Sequence, residues 1–340
     1  MRRSVKILSI DPPYAIPGGE IAIECEGFQA GARDNGCFVG GERCRIVAAS
    51  SSRVIAIVPE GLASEHTHVH LEGGGHQTEP FPYIVGKRLV GDMHIVANPA
   101  IDPTDDALIL TRSGARGQQL PTTLFRYGPD GYLDEFNDSI LNPTGIAFDR
   151  DGHLYVSNRA EGEIYQFDHD RTSTVYATGL GVATGMAFDS TGALYVGDRS
   201  GTIFRVSDFA EVEIFTVMEP SVAAYHMAFG PDERLYLTSP GLASHDAVHA
   251  VDKEGFDEKY FTGLGRPQGL AFSADGSLYV AACFRGRHGI AKIDISGEAT
   301  LFAAGPNIVG LCFSRKGEMI VATNDSVYSL PVGIKGTLLT

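Results

Sequence analysis

Short apolar runs recur along the chain, each broken by a polar turn, and the pattern predicts strands. Between Asn142 and Phe167 three such runs follow in order: Ile146–Phe148, Leu154–Val156 and Ile164–Phe167. Asp151 and Gly152, between the first two, are a hairpin signal. The same phrase returns as Gly185–Phe188 before Leu194–Val196, and as His226–Phe229 before Leu235–Leu237. It returns again as Gly269–Phe272 before Leu278–Val280, and as Gly310–Phe313 before Met319–Val321. Phe148, Phe188, Phe229, Phe272 and Phe313 set a period of 40 to 43 residues. Strand-only content at that period predicts a propeller. A degenerate first copy, Asn98–Ile101 and Leu108–Leu110, makes six units.

Residues 1–86 lack this repeat. Ile7–Ile10, Glu20–Cys25, Cys37–Gly41, Val54–Val58 and His66–Leu71 read as short strands between Pro- and Gly-rich turns. Such density of strands predicts a small β-sandwich. The fold class is therefore all-β: a small sandwich over 1–86, then a six-bladed propeller over 87–340. The sixth unit shows three clear strands, and its outermost strand is expected from the segment Ile84–Val90, with Ile334–Leu339 as the competing source.

Topology divides the propeller into two faces. The first strand of each unit runs from the level of Thr144 to Phe148, and the second returns to bring Asn158 beside Thr144. The loops entering first strands and those leaving second strands thus share one face, here called upper, and the Asp-Gly turns lie on the lower face. The long loops Arg112–Thr122, Ser239–Asp246 and Cys283–His288 all fall on the upper face. Insertions gathered on one face of a repeat array mark that face for binding.

Three sets of residues are expected to ring the upper mouth. Ala97, Thr144, Thr184, Tyr225, Gln268 and Val309 open the first strands. Arg112, Asn158, Asp198, Ser239, Ala282 and Thr323 end the second strands. Arg116, Arg159, Arg199, Arg285 and Arg287 follow in the loops. Guanidinium groups on a chain of net charge −15 suit an anionic small molecule, held as carboxylates and phosphates are; the alternative is structural pairing with carboxylates of neighbouring blades. His226 stands where other units have Gly, and His245 and His288 lie in nearby loops. Imidazoles beside Tyr225 supply acid–base groups near neutral pH, or with Asp198 and Asn158 a metal site; the alternative is a channel histidine bonded to water. His66, His68 and His70 share one face of a strand, as metal ligands or as a solvated face.

The acidic balance excludes non-specific nucleic-acid binding. No run of 18 apolar residues is present to span a membrane. The start Met1–Lys6 is basic, but Asp11 and two prolines follow with no signal-peptide core. A cytoplasmic location is expected, or export where a leader precedes this chain. Five cysteines form no CxxC pair, which favours buried thiols.

Two resemblances follow from these residues. Ser9–Pro13, Pro17–Gly19, Glu26–Phe28, Phe38–Gly41, Val58–Pro59 and Phe81–Tyr83 together resemble the IPT/TIG immunoglobulin-like domain. It implies an accessory role, as a contact for a protein or carbohydrate partner. The repeats resemble NHL and SMP-30/gluconolactonase-like six-bladed propellers, which include lactonases, esterase-like enzymes, streptogramin lyases and binding modules. The resemblance implies a divalent cation, often calcium, over the channel, held by a Glu, an Asn and an Asp. Here Ala97 stands at the Glu position, and Thr144 and Gln268 stand at the Asn positions. Asp198 and Asn158 remain at the third.

The expected function is a hydrolase- or lyase-like enzyme acting on an anionic or sugar-derived compound at the upper mouth. His226 and Asp198 would be catalytic. Arg112, Arg116, Asn158, Arg159, Arg199, Tyr225, His245, Gln268, Arg285 and His288 would bind substrate. The alternative is a non-catalytic propeller that binds carbohydrate or a protein.

Overall fold

The computed structural model describes residues 5–62, 65–114, 118–136, 140–242 and 246–337. Every regular element among them is a strand, and no helix is long and apolar enough to cross a membrane.

Residues 5–85 form two sheets. One holds Lys6–Asp11, Glu20–Glu26, Arg53–Ile57 and Arg45–Ala49; the other is built on Phe81–Val85, His66–Gly73 and Gly36–Val39. Period-two alternation explains the packing: Ile21, Ile23 and Cys25 from the first sheet meet Val69, Leu71 and Val39 from the second in one core. On the outer side of the same strand His66 and His68 are exposed, and His70 stacks on Phe38 at 4.8 Å. Among the described residues no three His, Cys, Asp or Glu side chains converge as metal ligands.

The rest is a ring of six four-stranded blades. Blade two is Pro143–Phe148, Leu154–Asn158, Glu163–Phe167 and Ser173–Ala177, running outward from the axis. Blades one, three, four and five repeat that order. Blade six takes Ile308–Phe313, Glu318–Thr323 and Val327–Pro331 from the end of the chain, and its outermost strand, Lys87–Val90, from before blade one. The ring is therefore latched by chain segments far apart in sequence. Ile334–Thr337, the competing source, instead runs back along blade five, where Thr337 N–H donates to Phe272 O and Ser273 pairs Gly336.

The repeated Phe and Tyr join the blades. Tyr155 meets Phe188 edge-on at 4.9 Å, Tyr195 meets Phe229 at 5.1 Å, Tyr236 meets Phe272 at 4.8 Å and Tyr279 meets Phe313 at 5.2 Å. Each pair links a second strand to the next blade's first strand. Edge-on rings contribute about 0.5–1.5 kcal/mol per pair beyond their buried area. The degenerate first unit swaps rings for aliphatics consistently: Ile101 packs in one cluster with Ile320, and Ile109 in one cluster with Phe148.

The sandwich is fused to blade five. Tyr14–Ala15 pairs in parallel with both Phe81–Val85 and the outer strand of blade five, through Tyr14↔Ala303 and Ala15↔Ala304. Arg287, expected on the upper face, turns to the sandwich instead: it pairs with the Asp11 carboxylate and donates to Glu20 O at 3.0 Å. The expected loop Cys283–His288 is strand extension. Leu278–Phe284 and Arg287–Ile293 continue to a two-residue turn at Arg285 and Gly286, both at positive φ, as a type I′ hairpin requires. Its tip also pairs with blade four, Leu264↔Phe284.

The repeat glycine has a steric cause. At Gly145 a Cβ would lie 2.3 Å from Thr184 O, at Gly185 2.2 Å from Tyr225 O and at Gly310 2.5 Å from Ala97 O. Successive inner strands touch backbone to backbone there. Gly145→Ala is expected to cost about 1–3 kcal/mol by forcing the blades apart. Gly61→Ala, at a site with nothing within 4 Å of the added carbon, is expected to leave the melting temperature unchanged. Thermal denaturation of the two variants checks this.

Candidate functional site

The close approach of the inner strands packs the upper end of the channel. Thr144 and Thr184 are fully buried there. Ser157 Oγ donates to Thr184 O at 2.9 Å, and Tyr225 N–H donates to Thr184 Oγ1 at 3.1 Å, tying blade to blade. Asn98 closes the ring: its Nδ2 donates to Leu270 O at 3.1 Å, and its Oδ1 accepts Leu311 N–H at 3.1 Å. Below this throat the strands diverge into a cavity of about 680 Å³. Ile146, Met186, Met227 and Leu311 lie along its walls, and the turn residues Asp149, Arg150, Asp189, Ser190 and Arg315 lie at its rim. The cavity thus opens among the Asp-Gly turns, on the lower face. The ligand was expected at the upper mouth; this cavity lies at the other end of the channel, below the backbone contacts of the inner strands.

His226 lies at the closed end. It occupies the glycine position of blade four, lines the cavity and is 2% exposed. Its Nε2 is buried without a hydrogen-bond partner. Burial pushes the imidazole down to about 4, because a charged ring is poorly solvated there. The ring is neutral at pH 7, suited to accept a proton rather than to donate one. Cys312 lines the same cavity, and burial raises its thiol well above the ordinary range, so it stays protonated.

Carboxylates at the rim are already engaged. Asp149 accepts the backbone N–H groups of Asp151 and His153 and the Tyr155 hydroxyl. Asp189 accepts those of Thr191 and Ala193. They hold the hairpin turns, as Asp does where its side chain mimics a backbone turn. Arg315 is tied to Pro103 O and lies 3.7 Å from Asp106. Arg150 is exposed at the rim.

The expected catalytic set does not assemble. Asp198 lies above the throat, where Oδ1 accepts Val182 N–H at 2.8 Å and Oδ2 accepts the Ser200 hydroxyl. Asn158 does the same in blade two: Oδ1 accepts Ala160 N–H at 3.1 Å and Nδ2 donates to Glu161 at 2.8 Å. Neither lines the cavity that holds His226. Tyr225 is fully buried, with its hydroxyl donating to Glu219 O. Gln268 is half-buried, and its carbonyl accepts Thr238 Oγ1. Arg285 stacks over Phe284 at 4.9 Å, and His288 is exposed on the blade-five hairpin. Arg112, Arg159 and Arg199 are half-buried on the upper face. Arg116 and His245 lie outside the described residues.

At the expected cation positions the Glu and the Asn are absent. Ala97 and Thr144 offer no carboxylate or amide, and the polar atoms of Asp198 and Asn158 are bonded to Val182 and Ser200 and to Ala160 and Glu161. Sequence reasoning missed the lower cavity and the Asn98 bridge. The recurrent glycine was the available signal for a tight throat, whereas Asn98 bonds residues 172 and 213 positions away.

Fold and cavity together define a six-bladed propeller with a small-molecule-sized pocket in its channel. The family model for the SMP-30/Gluconolactonase/LRE-like region matches residues 26–241, and the chain belongs to that family. Among solved structures, a putative gluconolactonase is 15% identical with a TM-score of 0.61, over 74% of this chain and 93% of that one. An auxiliary nutrient binding protein from Bacteroides thetaiotaomicron VPI-5482 is 14% identical with a TM-score of 0.56, over 96% and 97%. Virginiamycin B lyase from Staphylococcus aureus is 12% identical with a TM-score of 0.52, over 96% and 94%. Identities this low show a shared fold alone. Comparison with curated proteins gives no match.

The buried imidazole makes stability depend on pH. The unfolded chain binds a proton at His226 near pH 6.5, and the folded chain does so only near 4. Stability from this group is complete above pH 6.5 and is lost as pH falls toward 4. From pH 7 to 5 wild type is expected to lose about 2 kcal/mol more than His226→Gln, measured as the difference in melting temperature at the two pH values.

Proposed function

We propose that the protein is a hydrolase- or lyase-like member of its family that takes a small molecule into the channel through the lower mouth. The orphan Nε2 of His226 at the closed end of the cavity carries this reading. A buried polar atom without a partner costs about 1–3 kcal/mol, a penalty that a ligand or water bonded to the ring removes. The apolar walls suit a substrate with an apolar body, and Arg150 at the rim suits an anionic end. Neutral His226 acts as the base. It takes a proton from water attacking an ester or lactone carbonyl, or from a carbon beside a carbonyl in an elimination. No cation enters either step.

A second reading, binding without turnover, has its own support. Among the described residues the carboxylates that line the cavity, Asp149 and Asp189, are tied to their turns and do not orient the ring. The two-domain chain also resembles a nutrient binding protein along 96% of its length. On either reading the N-terminal sandwich, of IPT/TIG type, serves as a brace or contact surface beside blade five.

A panel of lactones and esters separates the two. Under the enzyme reading, His226→Asn lowers kcat/KM by about 10²-fold or more and leaves ligand affinity within a few-fold. The acid limb of kcat/KM is expected near pH 4 rather than 6.5, since the base must be unprotonated and burial holds it near 4. Ligands that bind without turnover, and are lost in Met186→Trp, which fills the cavity, would establish the binding reading. Full activity in His226→Asn would sink the enzyme reading.

A further inference from the structure

Blade three ends outward on Val212–Val217, which pairs with Thr202–Val206 on one side and, among the described residues, with no strand on the other. The hairpin closes with Ser207 N–H donating to Glu211 O at 3.0 Å. Alternation then turns the Glu213 backbone inward and the Val212 and Ile214 backbone outward. An open edge of this kind is a template for another strand, and charge is the usual guard against it. Other outer strands carry that guard: Asp257–Lys259 on blade four, Lys87 and Arg88 on blade six, Asp134 and Glu135 on blade one. Ser173–Ala177 of blade two has none but exposes Val175 as its one large apolar side chain. Blade three has a single charge, Glu213, already paired with Arg205 at 2.9 Å. Ile214 is 66% exposed, with Val212 and Val217 exposed on the same strand. Phe209 in the hairpin turn is exposed as well. So is Phe256 of blade four, whose turn adjoins the strand where Thr216 Oγ1 donates to Gly255 O at 2.9 Å.

Blade five shows an edge of the same design with a strand added to it. Its outer strand, Ala299–Ala304, is covered by Tyr14–Ala15. Both outer strands skip one residue in their ladders, Phe215 in blade three and Phe302 in blade five, which sets Ile214 level with Leu301. Leu301 is 7% exposed. We propose that the open edge of blade three pairs with the same edge of a second copy of this chain, antiparallel about a two-fold axis at Ile214. Such a contact is self-complementary and uses up both edges, so it closes at a dimer. The axis sets Ile214 against its own copy and each Glu213 opposite a Phe215, so no like charges face each other across the ladder. It also brings the Phe209 end of one strand to the Val217 and Phe256 end of the other. Two chains of net charge −15 repel except where charge is locally low, and this edge is such a place. The interface is remote from the channel and stands whether or not the cavity is catalytic.

Sedimentation equilibrium of the full chain tests it. Wild type at about 100 µM is expected to sediment as a dimer. Ile214→Lys, a change at an exposed site that leaves the fold intact, is expected to raise the dissociation constant about tenfold or more, since it removes an apolar contact and sets two ammonium groups together. Val175→Lys, the same change on the edge of blade two, is expected to leave the constant unmoved. Ile214→Cys supplies a second measurement. Directly opposed residues of an antiparallel pair stand about 5.5 Å apart at Cα, within reach of a disulfide. With oxidised glutathione added, the two thiols are expected to form one intermolecular disulfide and release two molecules of reduced glutathione, while wild type gives no covalent dimer. A monomeric wild type at that concentration would overturn the proposal. So would a dimer that survives Ile214→Lys unweakened, which would place the contact elsewhere, or an Ile214→Cys chain that does not cross-link. Ligand binding in the cavity is expected to be unchanged in Ile214→Lys.

Discussion

Backbone contact between successive inner strands at the throat is the constraint on which the rest of the propeller depends. Where Gly145, Gly185 and Gly310 stand, no side chain fits between one blade and the next. Strands that touch at one end and carry twist must diverge at the other. The throat therefore closes above and the cavity opens below, before any functional residue is chosen. His226 is notable for occupying a glycine position in that ring. A side chain placed there has little room except the channel, and little water to solvate it.

The other contacts hold this geometry from outside. Tyr on one blade's second strand meets Phe on the next blade's first strand, and the aliphatic swaps at Ile101 and Ile109 keep the seam closed in the degenerate unit. Lys87–Val90 closes the sixth blade with strand pairing rather than with side chains alone. Tyr14–Ala15 and Arg287 then bind the sandwich to blade five. Opening the ring thus requires breaking a strand ladder.

The fold was readable because its cause repeats: Gly, Phe, Asp-Gly and Tyr each do one job per blade, so period and spacing expose them. The latch strand was readable as one of two segments of strand character, Ile84–Val90 and Ile334–Leu339, beside an incomplete sixth unit. The site was not readable in the same way. Counting loop lengths pointed upward, yet the blade-five insertion is strand extension through a turn at Arg285 and Gly286. Asp198 and Asn158 looked free because sequence does not show side chains bonding to backbone N–H groups, Val182 from the preceding loop for Asp198 and Ala160 in its own turn for Asn158. His226 stood out as an exception to a repeat, which is local information. Its unpartnered Nε2 depends on where the turns place their carboxylates, which is not.

An acidic chain would be expected to pair its few arginines readily. It does so elsewhere: Arg234 with Asp232 and Glu258, Arg205 with Glu213, Arg287 with Asp11. Many of its aspartates, however, are fixed in hairpins, where each accepts two or more backbone N–H groups and is held as an anion in place. Such a carboxylate is held at its turn and meets only a cation within reach of it, as Asp232 meets Arg234. A blade architecture that uses Asp to build turns therefore leaves any cation outside their reach unpaired. Arg159 and Arg199 on the upper face are in that position, and the neutral, unpartnered ring of His226 is the uncharged counterpart within the channel.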